Sequence, residues 1–285
     1  MMMRFDTIVR LWVTRMVSLW VILFTTAFFA PNLLHADTIT VTHNNSSITV
    51  DPSDDAGLYE WIVDGVNNMS QSWFWFRIGD AGPESPLNSL NLILAETPNP
   101  NQIHLQYGDP SSGDPLFVDV LYTLVGGDPG SGYSLIMTDW SITNNTSETI
   151  DLHWFVYTDL DLDDTADGDI AQFVSPNMII QTEILPVFTW YYPNPTHWEI
   201  ALFPDIIDKL TDDDADNLDD ATSPLGPDDI AFAAQFYYRL DPGGTAMIQS
   251  RMQQTPEPSA LFLLCSGLAG LGLRRWMGKR RSMKS

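Results

Sequence analysis

Six aspartates fall within eleven residues, at Asp159, Asp161, Asp163, Asp164, Asp167 and Asp169. They follow directly on TIDLHWFVYTD, an apolar segment of strand character. Asp159, Asp161 and Asp163 alternate, so an extended chain turns all three the same way. Two carboxylates about 4 Å apart repel by about 1 kcal/mol even in bulk water, and by more beside protein. No lysine or arginine lies nearby in sequence to offset this. Calcium would offset it, because it accepts six to eight oxygens at loose geometry. The spacing is not that of an EF-hand. Counted from Asp159, the sixth position is Asp164 where a glycine is needed, and the twelfth is Ile170 where a glutamate is needed. The stretch is therefore either a calcium loop of another kind or a solvated acidic loop.

A second acidic run holds Asp212, Asp213, Asp214, Asp216, Asn217, Asp219 and Asp220. It lacks apolar punctuation and reads as an exposed, mobile loop, with calcium binding as the other reading. His43, His104, His153 and His197 are expected in surface or hydrogen-bonded packing roles. His197-Trp198-Glu199 is not a zinc signature, since residues two apart on a helix do not converge. Neither a Gly-x-Ser-x-Gly elbow, nor a His-Glu-x-x-His pair, nor a Walker loop occurs. A carboxylate pair for glycoside hydrolysis could hide among so many acids, but spacing singles none out. Trp61, Trp73, Trp75, Trp140, Trp154, Trp190 and Trp198 could stack on sugar rings, and Tyr191 and Tyr192 follow Trp190 in a loop-like cluster. Most of these tryptophans sit among apolar strand neighbours, which instead predicts core packing.

These groups need elements to hold them, and strand patterns dominate the middle of the chain. In TIDLHWFVYTD, Ile150, Leu152, Trp154 and Val156 share one face. In DIAFAAQFYYRL, Ile230, Phe232, Ala234, Phe236, Tyr238 and Leu240 do so. Both show period 2 over ten or more residues. Other predicted strands run from 38 to 42, 58 to 66, 72 to 79, 90 to 95, 102 to 107, 116 to 125, 133 to 143, 170 to 174, 178 to 183, 198 to 203 and 245 to 252. Glycine-, proline- and asparagine-rich turns separate them. A short helix is predicted from Pro204 to Leu210, with proline at its start. No linker divides residues 37–255, and so many strands in one domain suit an all-β, two-sheet β-sandwich.

Charge limits the partners. Between Asp37 and Pro258 there are only Arg77, Lys209, Arg239 and Arg251 against 36 Asp and Glu, a net charge of −32. A nucleic-acid ligand is excluded, since its phosphates need clustered cations. Adsorption to an anionic bilayer is disfavoured too. The single cysteine, Cys265, lies outside this region, so neither a disulfide framework nor a thiolate metal site is expected within it.

The basic residues gather at the two ends. Arg4, Arg10 and Arg15 precede an apolar run of 15 residues, Met16 to Ala30, and Leu34-His35-Ala36 follows. This is the order of a secretory signal peptide, 1–36, cut by signal peptidase after Ala36. A retained N-terminal anchor is the other reading. At the far end, Ala260 to Leu273 is an uncharged run of 14 residues, followed by Arg274, Arg275, Lys279, Arg280 and Arg281. Such a basic end favours a short transmembrane helix whose tail stays in the cytoplasm. A core helix would have no use for it.

Residues 256–285 resemble the PEP-CTERM sorting signal of Gram-negative bacteria. The resemblance rests on Pro256-Glu257-Pro258, the apolar run behind it, and the Arg274-Arg275 and Lys279-Arg280-Arg281 cluster. It implies recognition by exosortase, removal of the tail near the motif, and a host that makes exopolysaccharide. Three middle stretches, GLYEWIVDGVNNMSQSWFWFRIGD, WSITNNTSETIDLHWFVYTDLDL and PLGPDDIAFAAQFYYRLDPGGTAMIQS, also resemble secreted PEP-CTERM proteins. That likeness implies localisation and a sandwich fold, and no reaction.

The expectation from sequence is an exported protein, anchored transiently in the inner membrane and then released to the envelope or matrix. There it would act as a structural or interaction module, with calcium as its one conceivable cofactor, and not as an enzyme. A carbohydrate-binding module for extracellular polysaccharide is the alternative, and a glycoside hydrolase the third reading.

Overall fold

The computed structural model describes residues 37–175, 177–183, 187–220 and 224–256. The expected signal peptide with its Ala36 cleavage site, and the sorting helix and basic tail from Glu257 onward, lie outside the described residues. No helix among the described residues is long and apolar enough to cross a membrane.

Eighteen strands occur among these residues. The first six are β1 (Ile39–His43), β2 (Ser46–Val50), β3 (Leu58–Val63), β4 (Val66–Asn67), β5 (Gln71–Ile78) and β6 (Ser85–Pro86). Then come β7 (Leu92–Glu96), β8 (Gln102–Tyr107), β9 (Leu116–Gly126), β10 (Ser134–Asn144), β11 (Ile150–Asp159) and β12 (Asp169–Ser175). The rest are β13 (Met178–Thr182), β14 (Val187–Tyr191), β15 (His197–Leu202), β16 (Leu225–Asp228), β17 (Ile230–Leu240) and β18 (Thr245–Thr255). One α-helix, α1 (Asp205–Thr211), follows β15.

Two antiparallel sheets of nine strands each face one another. The first has the order β1-β2-β3-β5-β11-β17-β15, with β4 on β3 and β6 on β5; the second runs β16-β12-β13-β14-β18-β10-β9-β8-β7. The all-β sandwich expected from period 2 is present. In β9 and β10 buried and half-buried residues alternate without a break over eleven positions, because one face meets the core and the other does not. Trp154, Val156, Phe232 and Phe236 lie inside, all at 2% exposure or less.

Three departures from the sequence expectation have physical causes. Residues 58–66 form a hairpin and not one strand: Asp64 and Gly65 both take positive φ, 51° and 91°, as a two-residue turn requires. β16 was not foreseen, because Gly226 and Pro227 within it erase any strand signal. β17 is buried on both faces over its first half, since Ala231, Ala233 and Gln235 opposite the core face are covered too. Helix α1 packs against β15 and β17 on that outer side, burying Ile206 and Leu210.

The chain changes sheet where the first acidic run lies. β11 belongs to the first sheet and β12 to the second, so residues 160–168 form the crossover. It crosses back between β16 and β17 through one residue, Asp229.

Candidate functional site

Asp159 ends β11 and Ile230 begins β17, and these two strands pair with Asp159 opposite Ala231. Continuing that antiparallel register by two residues sets Asp161 opposite Asp229. Carboxylate oxygens of Asp159, Asp161 and Asp229 indeed lie within 4.8 Å of one another. Asp159 is 4% exposed, and its Oδ1 has no hydrogen-bond partner. Burial pushes its carboxyl up to about 8, helped by repulsion from Asp161, Asp229 and Asp169. Burial also raises Asp161 and Asp229. Asp169 opens β12, buried, with Gln181 Nε2 donating to its Oδ2 at 2.6 Å and its Oδ1 left without a partner. Burial raises it to about 7, against the hydrogen bonds from Gln181 and the Leu162 backbone. Among the described residues, none of the ion pairs includes any of these four aspartates.

The six-aspartate set expected from sequence is therefore corrected. Asp159 and Asp161 meet, with Asp169 close enough to repel both. Asp163, Asp164 and Asp167 point into solvent. Alternation fails because Asp163 and Asp164 take left-handed conformations, φ 57° and 62°, which end the extended chain. Asp229 was missed, and only the pairing of β11 with β17 could have found it.

The second acidic run is not the free loop expected. Its outer aspartates, Asp212, Asp213 and Asp214, are exposed, but the rest is tied to the outer face of the first sheet. Arg77, buried there, pairs with buried Glu84, binds the Asp216 carbonyl, and donates to Asn217 Oδ1 at 3.0 Å. Gln235 donates to the same Asn217 oxygen at 2.7 Å and accepts from the Leu218 amide at 3.0 Å. Lys209 Nζ reaches Glu199 at 2.9 Å and Asp219 at 2.8 Å. Asp220 accepts from the Trp198 amide at 3.0 Å and contacts His197 Nδ1 at 2.8 Å.

The outer face of the second sheet differs again: no helix among the described residues covers it. Its central strands carry an open groove of about 330 Å³ lined by Asp119, Leu121, Asp139, Ser141, Met247 and Gln249. Strand register explains the gathering, because Leu121, Asp139 and Gln249 form one cross-strand row and Asp119, Ser141 and Met247 the next. His104 continues the first row from β8. Its Nε2 lies 3.0 Å from Asp119 Oδ2 and its Nδ1 3.3 Å from Glu96 Oε1. Burial alone would lower its pKa, but the two carboxylate contacts outweigh that and raise it. Gln106 donates to Asp119 at 2.7 Å and Gln249 donates to Asp139. Six of the candidate tryptophans supply no sugar platform, since Trp61, Trp73, Trp75, Trp140, Trp154 and Trp190 are all buried; Trp198 is half-buried, stacked on Phe173 and lining another open groove. Tyr192 is buried as well, and Tyr191 is the exposed member of its cluster.

Pro256, just after β18, ends the described residues, and residues 254–275 match the model of the PEP-CTERM protein-sorting motif. The chain carries a PEP-CTERM sorting signal. It is thus an exosortase substrate destined for secretion, with Pro256, Glu257, Pro258, Arg274 and Arg275 inside the matched segment. No curated protein matches it in sequence. Solved structures match its fold. A bacterial glucoamylase complexed with acarbose superposes with a TM-score of 0.55 at 8% identity, over 77% of this PEP-CTERM protein and 32% of the glucoamylase. A galactose mutarotase related enzyme from Lactobacillus acidophilus gives 0.51 at 9% identity, over 78% of this chain and 98% of that one. The chain thus spans about a third of the glucoamylase and nearly all of the mutarotase relative. At such identity the likeness is one of fold, and that fold is one that carbohydrate enzymes use. The expectation of a module that is not an enzyme is corrected on that ground: both of these structures, which share its fold, are those of carbohydrate enzymes.

Proposed function

We propose that this PEP-CTERM protein is a secreted carbohydrate-active domain, and that it engages neutral polysaccharide outside the cell. In this reading signal peptidase removes residues 1–36, the run from Ala260 to Leu273 holds the chain briefly in the inner membrane, and exosortase releases it. The observation that carries the reading is the open groove on the second sheet, with Asp119, Asp139, Ser141 and Gln249 as hydrogen-bonding groups and Leu121 and Met247 as apolar floor. Sugar recognition needs that mixture, because each ring presents hydroxyls at its edge and C–H groups on its face. His104, held between Asp119 and Glu96 with a raised pKa, would fix the orientation of the Asp119 carboxylate at the groove. The neighbours' fold supports the substrate class: one is a glucoamylase and the other a galactose mutarotase related enzyme. Neutral sugars fit best, because a domain with 36 acids and four cations repels polyanions.

The test is a panel of neutral and anionic oligosaccharides, read by affinity electrophoresis for binding and by NMR for anomer exchange and chain cleavage. Neutral hexose polymers should bind, and Asp119→Asn with Asp139→Asn should weaken binding by roughly tenfold or more, since a hydrogen bond to a charged group contributes about 1.5–3 kcal/mol. Preference for anionic chains, or neither binding nor turnover of any neutral sugar, would sink the reading.

A further inference from the structure

We propose that Asp159, Asp161 and Asp229 bind a calcium ion that ties together two of the crossovers between the sheets. The ligands come from separate chain segments at one corner of the sandwich: the end of β11 with the turn after it, and the one-residue link from β16 to β17. Two oxygens that share an ion at about 2.4 Å each can be at most about 4.8 Å apart. All three carboxylates meet that limit.

The cluster alone would prove little, since acidic groups often gather without an ion. The buried groups around it point to a ligand. Asp159 Oδ1 and Asp169 Oδ1 are both enclosed without a hydrogen-bond partner, on residues 4% and 1% exposed. The Tyr157 hydroxyl, two residues before Asp159 on the same face of β11, is enclosed and unpartnered as well. Across the corner, Asp169 pairs directly with Asp228, where like charges destabilise a sheet. A divalent cation held by the three carboxylates would offset their mutual repulsion and give Asp159 Oδ1 a partner.

The donors choose the metal. Three carboxylates without histidine or cysteine do not suit zinc, which prefers nitrogen and sulfur. An irregular corner with room for carbonyls and water suits calcium, whereas magnesium demands a near-octahedral set. The proton is the competing occupant. Asp161, Asp229, Asp169, Asp208 and Tyr157 are the titratable groups around Asp159, and none is a cation.

Titration calorimetry of the purified protein with CaCl2, after treatment with chelator, is the deciding experiment. One saturable site is expected, weaker at pH 5.5 than at pH 8, with MgCl2 binding at least tenfold more weakly. Thermal melting should rise by roughly 5–10 °C at a hundredfold excess of calcium over its dissociation constant. Matched NaCl must be the reference, since so acidic a domain responds to any salt. Asp161→Asn with Asp229→Asn should abolish both signals, and Asp163→Asn with Asp164→Asn should leave both in place. Absence of saturable calcium binding to the wild-type protein overturns the proposal whether or not any variant folds. Loss of binding in the Asp163/Asp164 variant with retention in the Asp161/Asp229 variant overturns it as well.

Discussion

At Asp219, Lys209 Nζ stands 2.8 Å from the carboxylate, and Arg77 binds the Asp216 carbonyl and Asn217 beside it. At Asp159 and Asp161 no cation approaches, and burial with mutual repulsion raises both carboxyls. The two acidic runs look alike in composition, yet among the described residues one is held by lysine and arginine side chains and the other is not. The cause is scarcity. The domain has four cations, and two of them, Arg77 and Lys209, serve the 212–220 run. Arg239 lies at Asp151, and Arg251 projects from the uncovered face of the second sheet. What the first run lacks in protein charge must come from solution, as a proton or a metal ion.

The sharpest way to break this contrast is to remove the arginine that holds the 212–220 run. Arg77→Met leaves Glu84 buried and unpaired beside the Asp216 carbonyl, and should cost about 3–5 kcal/mol in urea unfolding. A loss below about 1 kcal/mol would mean that the 212–220 segment is not held through Arg77.

The next test acts on the other run through pH. Asp159 and Asp169 have folded-state pKa values raised to about 8 and about 7. Between the unfolded value near 4 and those values, the folded state binds more protons than the unfolded one. Stability in chelator must therefore fall as pH rises from about 5 to 8. Asp159→Asn should remove much of that slope and leave the chelated protein roughly 1–3 kcal/mol more stable than wild type at pH 8. A flat wild-type profile in chelator would show that Asp159 has found a partner.

Smaller effects sharpen the comparison further. Lys209→Met strips one shared cation from Glu199, which is buried, and from Asp219, which is not. It should cost roughly 1–2 kcal/mol by thermal unfolding. Asp163→Asn with Asp164→Asn should change stability by less than about 0.5 kcal/mol, because both side chains are exposed and asparagine tolerates the left-handed backbone.

Much of the sandwich could be read from residue types. Strict alternation placed β9, β10, β11, β17 and β18 to within a few residues, since a period of two is a property of the extended chain itself. β2 and β14 went unread, and so did β16, whose Gly and Pro argue against a strand. Of the aspartate centre, the sequence offered Asp159 and Asp161, which follow a strong strand. It also offered Asp163 and Asp164, which a left-handed turn directs away. The groove on the second sheet left no sequence signal: Asp119 and Asp139 are 20 residues apart on strands whose neighbours only register defines.

What the sequence determined by itself is local or additive. The sorting motif is a contiguous string of residues, strand periodicity is written along each segment, and the excess of acidic over basic residues is a sum over the chain. Tertiary structure decided what depends on pairing across distance. It brought Asp229 to Asp161 through the register of β11 with β17, and it spent Arg77 and Lys209 on one acidic run and not the other. It also left one outer sheet face covered and the other open. The physical reason is that a side chain's charge state and access to solvent are set by neighbours that lie tens of residues away along the chain.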